Sequence, residues 1–277
     1  MKRAQSNATA TVPAVARAIR LLNAVAASDR PLSLTGLQEK LGLPKSTLHG
    51  LCGTLVQGGL LVRSPDGTYR LGIRVMDLAH AFVAGTDLAA DFIEAWEAVA
   101  VRPEETIVLS VLDGADVVYI ACRNGRRPLG LSFRIGMRLP ASCTASGKSI
   151  LSTLPREQAV ELVRASGFRA LTRRSVRSVA ALSRQLDETR RRGFALDDEE
   201  TRQGMLCIGA PVFDSRGAAA VAGVAVSLLK AEAPPARKAA AANAVMRLAS
   251  ILSKRLGARV TGVPGVRPFR AGRLAVP

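Results

Sequence analysis

One stretch constrains this chain more than any other: LTGLQEKLGLPKSTLHGLCGTLVQGG, two amphipathic segments about a glycine turn, followed directly by a hairpin signature. In the first segment Leu34, Leu37 and Leu41 fall on one helical face. Ser33 stands where an N-cap accepts an amide, and Gly42 stands where a helix stops. Pro44 then opens a helix in which Leu48, Leu51, Cys52 and Leu55 share a face, ended by Gly58-Gly59. An earlier helix begins near Pro13, with Val15, Ile19, Leu22 and Ala26 on one face. LLVRSPDGTYRLG reads as two strands about a Ser64-Pro65-Asp66-Gly67 turn. Two helices joined by a tight turn and followed by a hairpin make a winged helix-turn-helix, whose second helix enters the major groove by its first residues. Those residues are Lys45, Ser46, Thr47 and His49. Arg63 and Arg70 flank the wing turn, placed for phosphate or the adjacent minor groove.

Charge agrees with a polyanionic partner. The chain carries 39 Lys and Arg against 22 Asp and Glu, a formal +17 over 277 residues. Residues 1–80 hold ten basic and four acidic groups, and the last twenty hold four basic and none acidic. Arg17 and Arg20 interrupt the only early apolar run, which argues against a secretory signal. The longest uncharged stretch, the 17 residues between Lys45 and Arg63, contains Ser, Thr, His and Gln and does not read as a membrane span. The expectation is a cytoplasmic protein with no membrane partner. Cys52, Cys122, Cys143 and Cys207 form no Cys-x-x-Cys pair, which fits reduced thiols and no zinc site.

Beyond residue 92 the pattern changes. ETIVLSVL, VVYIACR and LGLSFR are short strand-like runs about Asp113-Gly114 and Asn124-Gly125 turns, an expected antiparallel meander. A helix from Thr144, another opening at Pro155, the strands MLCIGAPVF and AAAVAGVAVSLL, and a helix over about 235–256 complete an α+β layering. The expected organisation is a flexible arm at 1–11, a winged helix-turn-helix at 12–72, a helical linker at 73–92, an α+β domain at 93–257 and a disordered basic tail at 258–277. The linker repeat is Ile73, Met76, Ala79 or His80, and Val83. The arginines of TRRSVRSVAALSRQLDETRRRG read as an exposed helix face.

The segment PASCTASGKSIL, residues 140–151, ends in the Gly-Lys-Ser of a phosphate-binding loop. Such a loop needs a second glycine five residues before Gly147, and Ser142 stands there. No apolar strand precedes it either. An enzyme using the Cys143 to Lys148 segment for nucleotide or thiol chemistry is the competing reading, yet both histidines, His49 and His80, lie in the first eighty residues, far from a cysteine needing a base. The preferred reading has no catalytic residue, cofactor or metal: the segment is a loop entering a helix whose first amides can hold a small carboxylate.

The stretch LSLTGLQEKLGLPKSTLHGLCGTLVQGGLLVRSPDGTYRLG resembles the winged helix of the IclR family of bacterial transcriptional regulators. IGMRLPASCTASGKSILSTLP and RRGFALDDEETRQGMLCIGAPVFD resemble segments of that family's GAF-like effector-binding domain. The resemblance spans nearly the whole chain apart from its ends. It implies a regulator that binds a double-stranded DNA operator as a homodimer or dimer of dimers, with RNA polymerase as a further partner, under the control of a small organic or aromatic acid from a catabolic pathway. It implies effector contacts at Thr144, Ala145, Ser146, Asp197 in the ALDDEE turn, Cys207, Ala225 and Ser227. Glu199 and Glu200, the last acidic residues of that turn, read as solvated. The chain departs from the family at Gly50, where an arginine is usual, at Ser142, where a histidine is frequent, and at Ala225, where a serine can contact ligand.

Overall fold

The computed structural model describes residues 12–78, 88–99, 105–125 and 133–258, which fall into two units divided between Gly85 and Thr86. The expected arm at 1–11, the linker positions Ala79, His80 and Val83, and the tail after Ala258 lie outside the described residues.

In the first unit α1 (Pro13–Ala26), α2 (Leu34–Leu41) and α3 (Lys45–Gln57) precede a two-stranded wing, β1 (Leu61–Arg63) and β2 (Tyr69–Leu71). Ser33 caps α2 by accepting the Gly36 amide at 3.1 Å, and Gly42 ends it at φ +67°. Leu21, Val25, Leu37, Leu48, Cys52, Leu55, Leu61 and Tyr69 form the core. The expected face of α1 needs correction: Val15 and Ile19 are 55% and 53% exposed, while Leu21 and Val25 are buried. Helix α1 carries two apolar stripes, and periodicity alone does not say which one the unit covers. The wing is tied down by an unforeseen bridge in which Leu32 and Tyr69 exchange both backbone hydrogen bonds. Gly72 permits the close return of the chain, since a Cβ there would meet the Gly59 carbonyl oxygen at 2.1 Å.

The second unit opens with α4 (Leu88–Val99), whose Phe92 and Trp96 are buried in its core. The linker expected over 73–92 therefore ends earlier, because its last residues already belong to this helix. A six-stranded sheet follows, with β3 (Thr106–Asp113), β4 (Asp116–Arg123), β5 (Arg138–Pro140), β6 (Ala195–Asp198), β7 (Met205–Val212) and β8 (Ala222–Leu229). Its order is β5-β4-β3-β8-β7-β6, with every neighbour antiparallel. Strand β5 pairs with the start of β4, and most of LGLSFR, the expected third strand of the meander, lies outside the described residues.

Strand alternation sends side chains to two cores. Ile107, Leu109, Leu206, Ile208, Val224 and Val226 face α4 and α8 (Pro235–Arg255). Val108, Met205, Cys207 and Ala225 face α5 (Ala145–Leu151), α6 (Arg156–Ala165) and α7 (Val179–Arg192). The architecture is the expected α+β one, an antiparallel sheet with helices on both faces. The arginines of α7 are not all surface: Arg190 donates to the Ser152 and Leu154 carbonyls, and Arg192 lies over the Phe194 ring at 4.9 Å.

Candidate functional site

Helix α3 is rooted by Leu48, Cys52 and Leu55, which leaves Lys45, Ser46 and His49 exposed and Thr47 half-buried. The four expected DNA-contacting residues of this helix therefore sit together at its start. On its exposed side, nothing lies within 4 Å of a Cβ built on Gly50 or Gly53. The wing register pairs Arg63 with Tyr69 and Val62 with Arg70. Alternation then projects the two exposed arginines from opposite faces of the ribbon, so the structure does not bring them together. At the wing turn Asp66 accepts the Thr68 amide and hydroxyl at 3.0 and 2.7 Å, bonds that hold its carboxyl below the ordinary range, the hydroxyl contributing most.

In the second unit Asp197, Cys207 and Ser227 form one row across β6, β7 and β8. Helix α5 crosses just beyond that row. It approaches closely because Gly209 and Gly223 stand beneath it: a Cβ on either would come within 2.5 or 2.6 Å of the backbone at Ala145 or Ser146. Between helix and row lies an internal void, and all seven expected effector residues, Thr144, Ala145, Ser146, Asp197, Cys207, Ala225 and Ser227, line it. Sequence reasoning missed Val108, Tyr119, Phe133, Thr201 and Met205, which among the described residues also line it. Two-residue alternation from Cys207 points to Met205, whereas Tyr119 and Phe133 reach the wall through pairings invisible in sequence. The void is small, about 10 Å³ of space for a water's centre, room for about one molecule.

The wall is polar on one side. Ser110 donates to Ser146 at 2.9 Å, and Cys207 meets the Ser227 hydroxyl at 3.2 Å. Asp197 is a strand residue, not a turn residue, and is 1% exposed. Its Oδ1 accepts the Glu200 and Thr201 amides at 2.7 and 3.1 Å, yet burial still raises its pKa, outweighing the pull of Lys148. Burial also pushes the Cys143 and Cys207 thiols up, the second strongly, with Asp197 adding to it. Neither cysteine is primed as a thiolate.

The Gly-Lys-Ser of PASCTASGKSIL is structural. A Cβ on Gly147 would meet the Ala141 Cα at 2.5 Å. Lys148 is 1% exposed and donates to Glu200 at 2.6 Å and to Gln185 at 2.7 Å. Ser149 donates back to the Ser146 carbonyl. Glu200, expected in solvent, is instead 4% exposed as the partner of Lys148. The acidic run hid this because a buried cation 52 residues away decides it. Every residue of α5 is buried, so no polyphosphate can lie along it.

A winged helix-turn-helix beside an antiparallel-sheet domain of this kind defines a class, the DNA-binding transcriptional regulators. The descriptor "IclR helix-turn-helix domain" matches residues 14–65, and "Bacterial transcriptional regulator IclR C-terminal" matches residues 80–254. This chain belongs to the IclR family, a family of regulators rather than enzymes. It is 30% identical over 247 residues to the HTH-type transcriptional regulator XynR of Escherichia coli, covering 89% of this chain and 98% of that protein. It is 40% identical to the repressor BlcR of Agobacterium tumefaciens, whose crystal structure matches with a TM-score of 0.58 over 90% of this chain and 99% of that one. An IclR homologue from Microbacterium hydrocarbonoxydans, solved with 4-hydroxybenzoate, shares the fold at a TM-score of 0.74 and 22% identity, over 87% and 99% of the two chains. Among the described residues no helix is long and apolar enough to cross a membrane.

Proposed function

We propose that this chain controls transcription from a palindromic operator as a homodimer or dimer of dimers, and that a small organic or aromatic acid in the void beside Asp197 shifts its operator binding. The observation that carries this is the convergence of residues from segments 144–146, 197, 207 and 225–227 on one internal void. The acid's carboxylate meets the hydroxyls and amides of the Thr144 to Ser146 loop, and its carbon skeleton packs on Val108, Phe133 and Met205. Because the void holds about one water, an acid binds only a domain that has opened around it. That gives the ligand very different affinities for two conformations, which is the requirement for a switch. A coupling of about 1–3 kcal/mol suffices for regulation. Paired half-sites demand paired recognition helices. Val12, Val15 and Ile19, with Ile73, Met76 and Leu78, leave apolar surface exposed for a second copy.

Calorimetry with a panel of acids on the wild type, Ser146→Leu and Cys207→Leu tests the proposal. An acid that alters operator binding should lose its affinity for both folded variants. Equal affinity for all three proteins would move the effector site elsewhere.

A further inference from the structure

Strand β8 has a cavity on each of its faces. Ala225 and Ser227 line the void described above, and alternation turns Val226 and Leu228 the opposite way, toward a cavity of about 390 Å³. That volume is in the range of small-molecule sites, roughly 300–1,000 Å³. Trp96 of α4 and Ala240, Ala241 and Ala244 of α8 line it together with those two strand residues. Trp96, Val226 and Leu228 are each 1% exposed, whereas Pro234 and Ala236 at the start of α8 stand in solvent, so the cavity has an apolar floor and an open mouth.

Arg237, also on its wall, is incompletely used. Its terminal nitrogens donate to the Glu105 carboxylate and, at 2.6 Å, to the Glu232 carbonyl, and the Glu232 carboxylate lies at 3.4 Å. The Nε of the same guanidinium is buried and has no hydrogen-bond partner. A buried donor without an acceptor is costly and uncommon, so one on a cavity wall marks where an acceptor from a ligand belongs.

We propose that this cavity binds a neutral, mainly apolar molecule carrying a carbonyl acceptor, an ester, ketone or amide, with the oxygen on Arg237 Nε and the apolar body against Trp96. A neutral oxygen fits because the guanidinium already meets two carboxylates, and an anion has to displace one of them or stand beside both. A hydrocarbon of the same size leaves Nε unpaired. The site is separate from the void beside Asp197, with the sheet between them.

Trp96 is the only tryptophan of the chain, so its fluorescence reports occupancy directly. The test is a titration of the full chain, excited beyond the absorption of the probes, with methyl benzoate, benzoate and toluene, which share a ring and differ in the acceptor and its charge. Methyl benzoate should give a saturable change in emission and bind about tenfold more tightly than either companion. Arg237→Lys keeps a cation beside Glu105 and Glu232 but has no Nε, and should lose the preference over toluene. Ala240→Leu, which fills the cavity from a helical position that suits leucine, should abolish the response, while Ser146→Leu on the other face of the sheet should retain it. No saturable response to methyl benzoate, tighter binding of benzoate or toluene, an Arg237→Lys variant that keeps the preference, or an Ala240→Leu variant that binds as the wild type does overturns the assignment. So does loss of the response in Ser146→Leu, which would put the ligand in the void. If sedimentation shows that Ala240→Leu splits an oligomer of the wild type, the cavity is an interface between copies and the assignment falls.

Discussion

Two helices of this chain open with nearly the same residue types, α3 with Lys45-Ser46-Thr47 and α5, after its cap Thr144, with Ala145-Ser146-Gly147-Lys148-Ser149. Their fates are opposite. In α3 the lysine, serine and both glycines face outward, and the glycines have open space around them. In α5 the corresponding groups are interior: Gly147 admits the Ala141 backbone and Lys148 closes a buried ion pair. A lysine near a helix start stands in solvent, open to an outside polyanion, in one place and is an internal strut in the other. Residue type supplies the charge, and burial decides its partner.

The largest effect expected from this contrast is in salt. A dimer that contacts about six to ten phosphates through α3 and the wing should lose roughly 10³ to 10⁵ in operator affinity between about 50 and 200 mM salt. Effector binding in a void lined by buried residues should change far less over the same range. Filter binding and calorimetry on one preparation measure both. A salt-insensitive operator complex would erase the distinction.

Next come the two lysines. Lys148→Met strands Glu200 in the interior and should destabilise the second unit by about 3–5 kcal/mol, whereas Lys148→Met with Glu200→Leu should recover most of that. Lys45→Met should leave stability within about 0.5 kcal/mol and lower the salt slope of operator binding by about 1. Denaturant melts of the four proteins sharpen the comparison. Similar losses for both single lysine variants would break it.

A smaller pair of effects has opposite signs in pH. Burial raises Asp197 in the folded state, so the stability linked to its proton is full below the ordinary carboxylate range and is lost as pH rises through the folded value. Asp197→Asn, which cannot ionise, should therefore gain on the wild type as pH goes from about 4 to about 7. In the wing, the Thr68 bonds lower Asp66, whose contribution is present above the ordinary range and lost on acidification. Asp66→Asn should lose ground over the same rise in pH. Thermal midpoints followed against pH show whether the two differences slope in opposite directions.

The smallest effect concerns a glycine. Gly50→Ala adds a methyl to open space on a helix and should stabilise the first unit by about 1 kcal/mol. Gly147→Ala, with backbone 2.5 Å from its new Cβ, should destabilise the second unit. A loss of stability in both variants would mean that α3 is more crowded than its surroundings show.

The first unit was largely legible because its information is local. Ser33, Gly42 and Gly59 act within a few residues of the helix ends they set, and the turn after Arg63 needs only Asp66 and Gly67. The exception there is α1, whose buried stripe depends on which face the other helices cover. In the second unit the chain order of strands and helices was readable, and resemblance supplied seven of the residues around the void.

By itself, the sequence determined the caps, turns and two-residue alternation that make a winged helix and a two-faced sheet, because hydrogen bonding and hydrophobic period act over a few residues. Only the tertiary structure decided that Glu200 is buried with Lys148, that Arg63 and Arg70 point apart, and that Tyr119 joins Asp197 at one void. Those outcomes depend on strand pairing and burial across tens of residues. A charge or hydroxyl acquires its role from whatever packing places beside it.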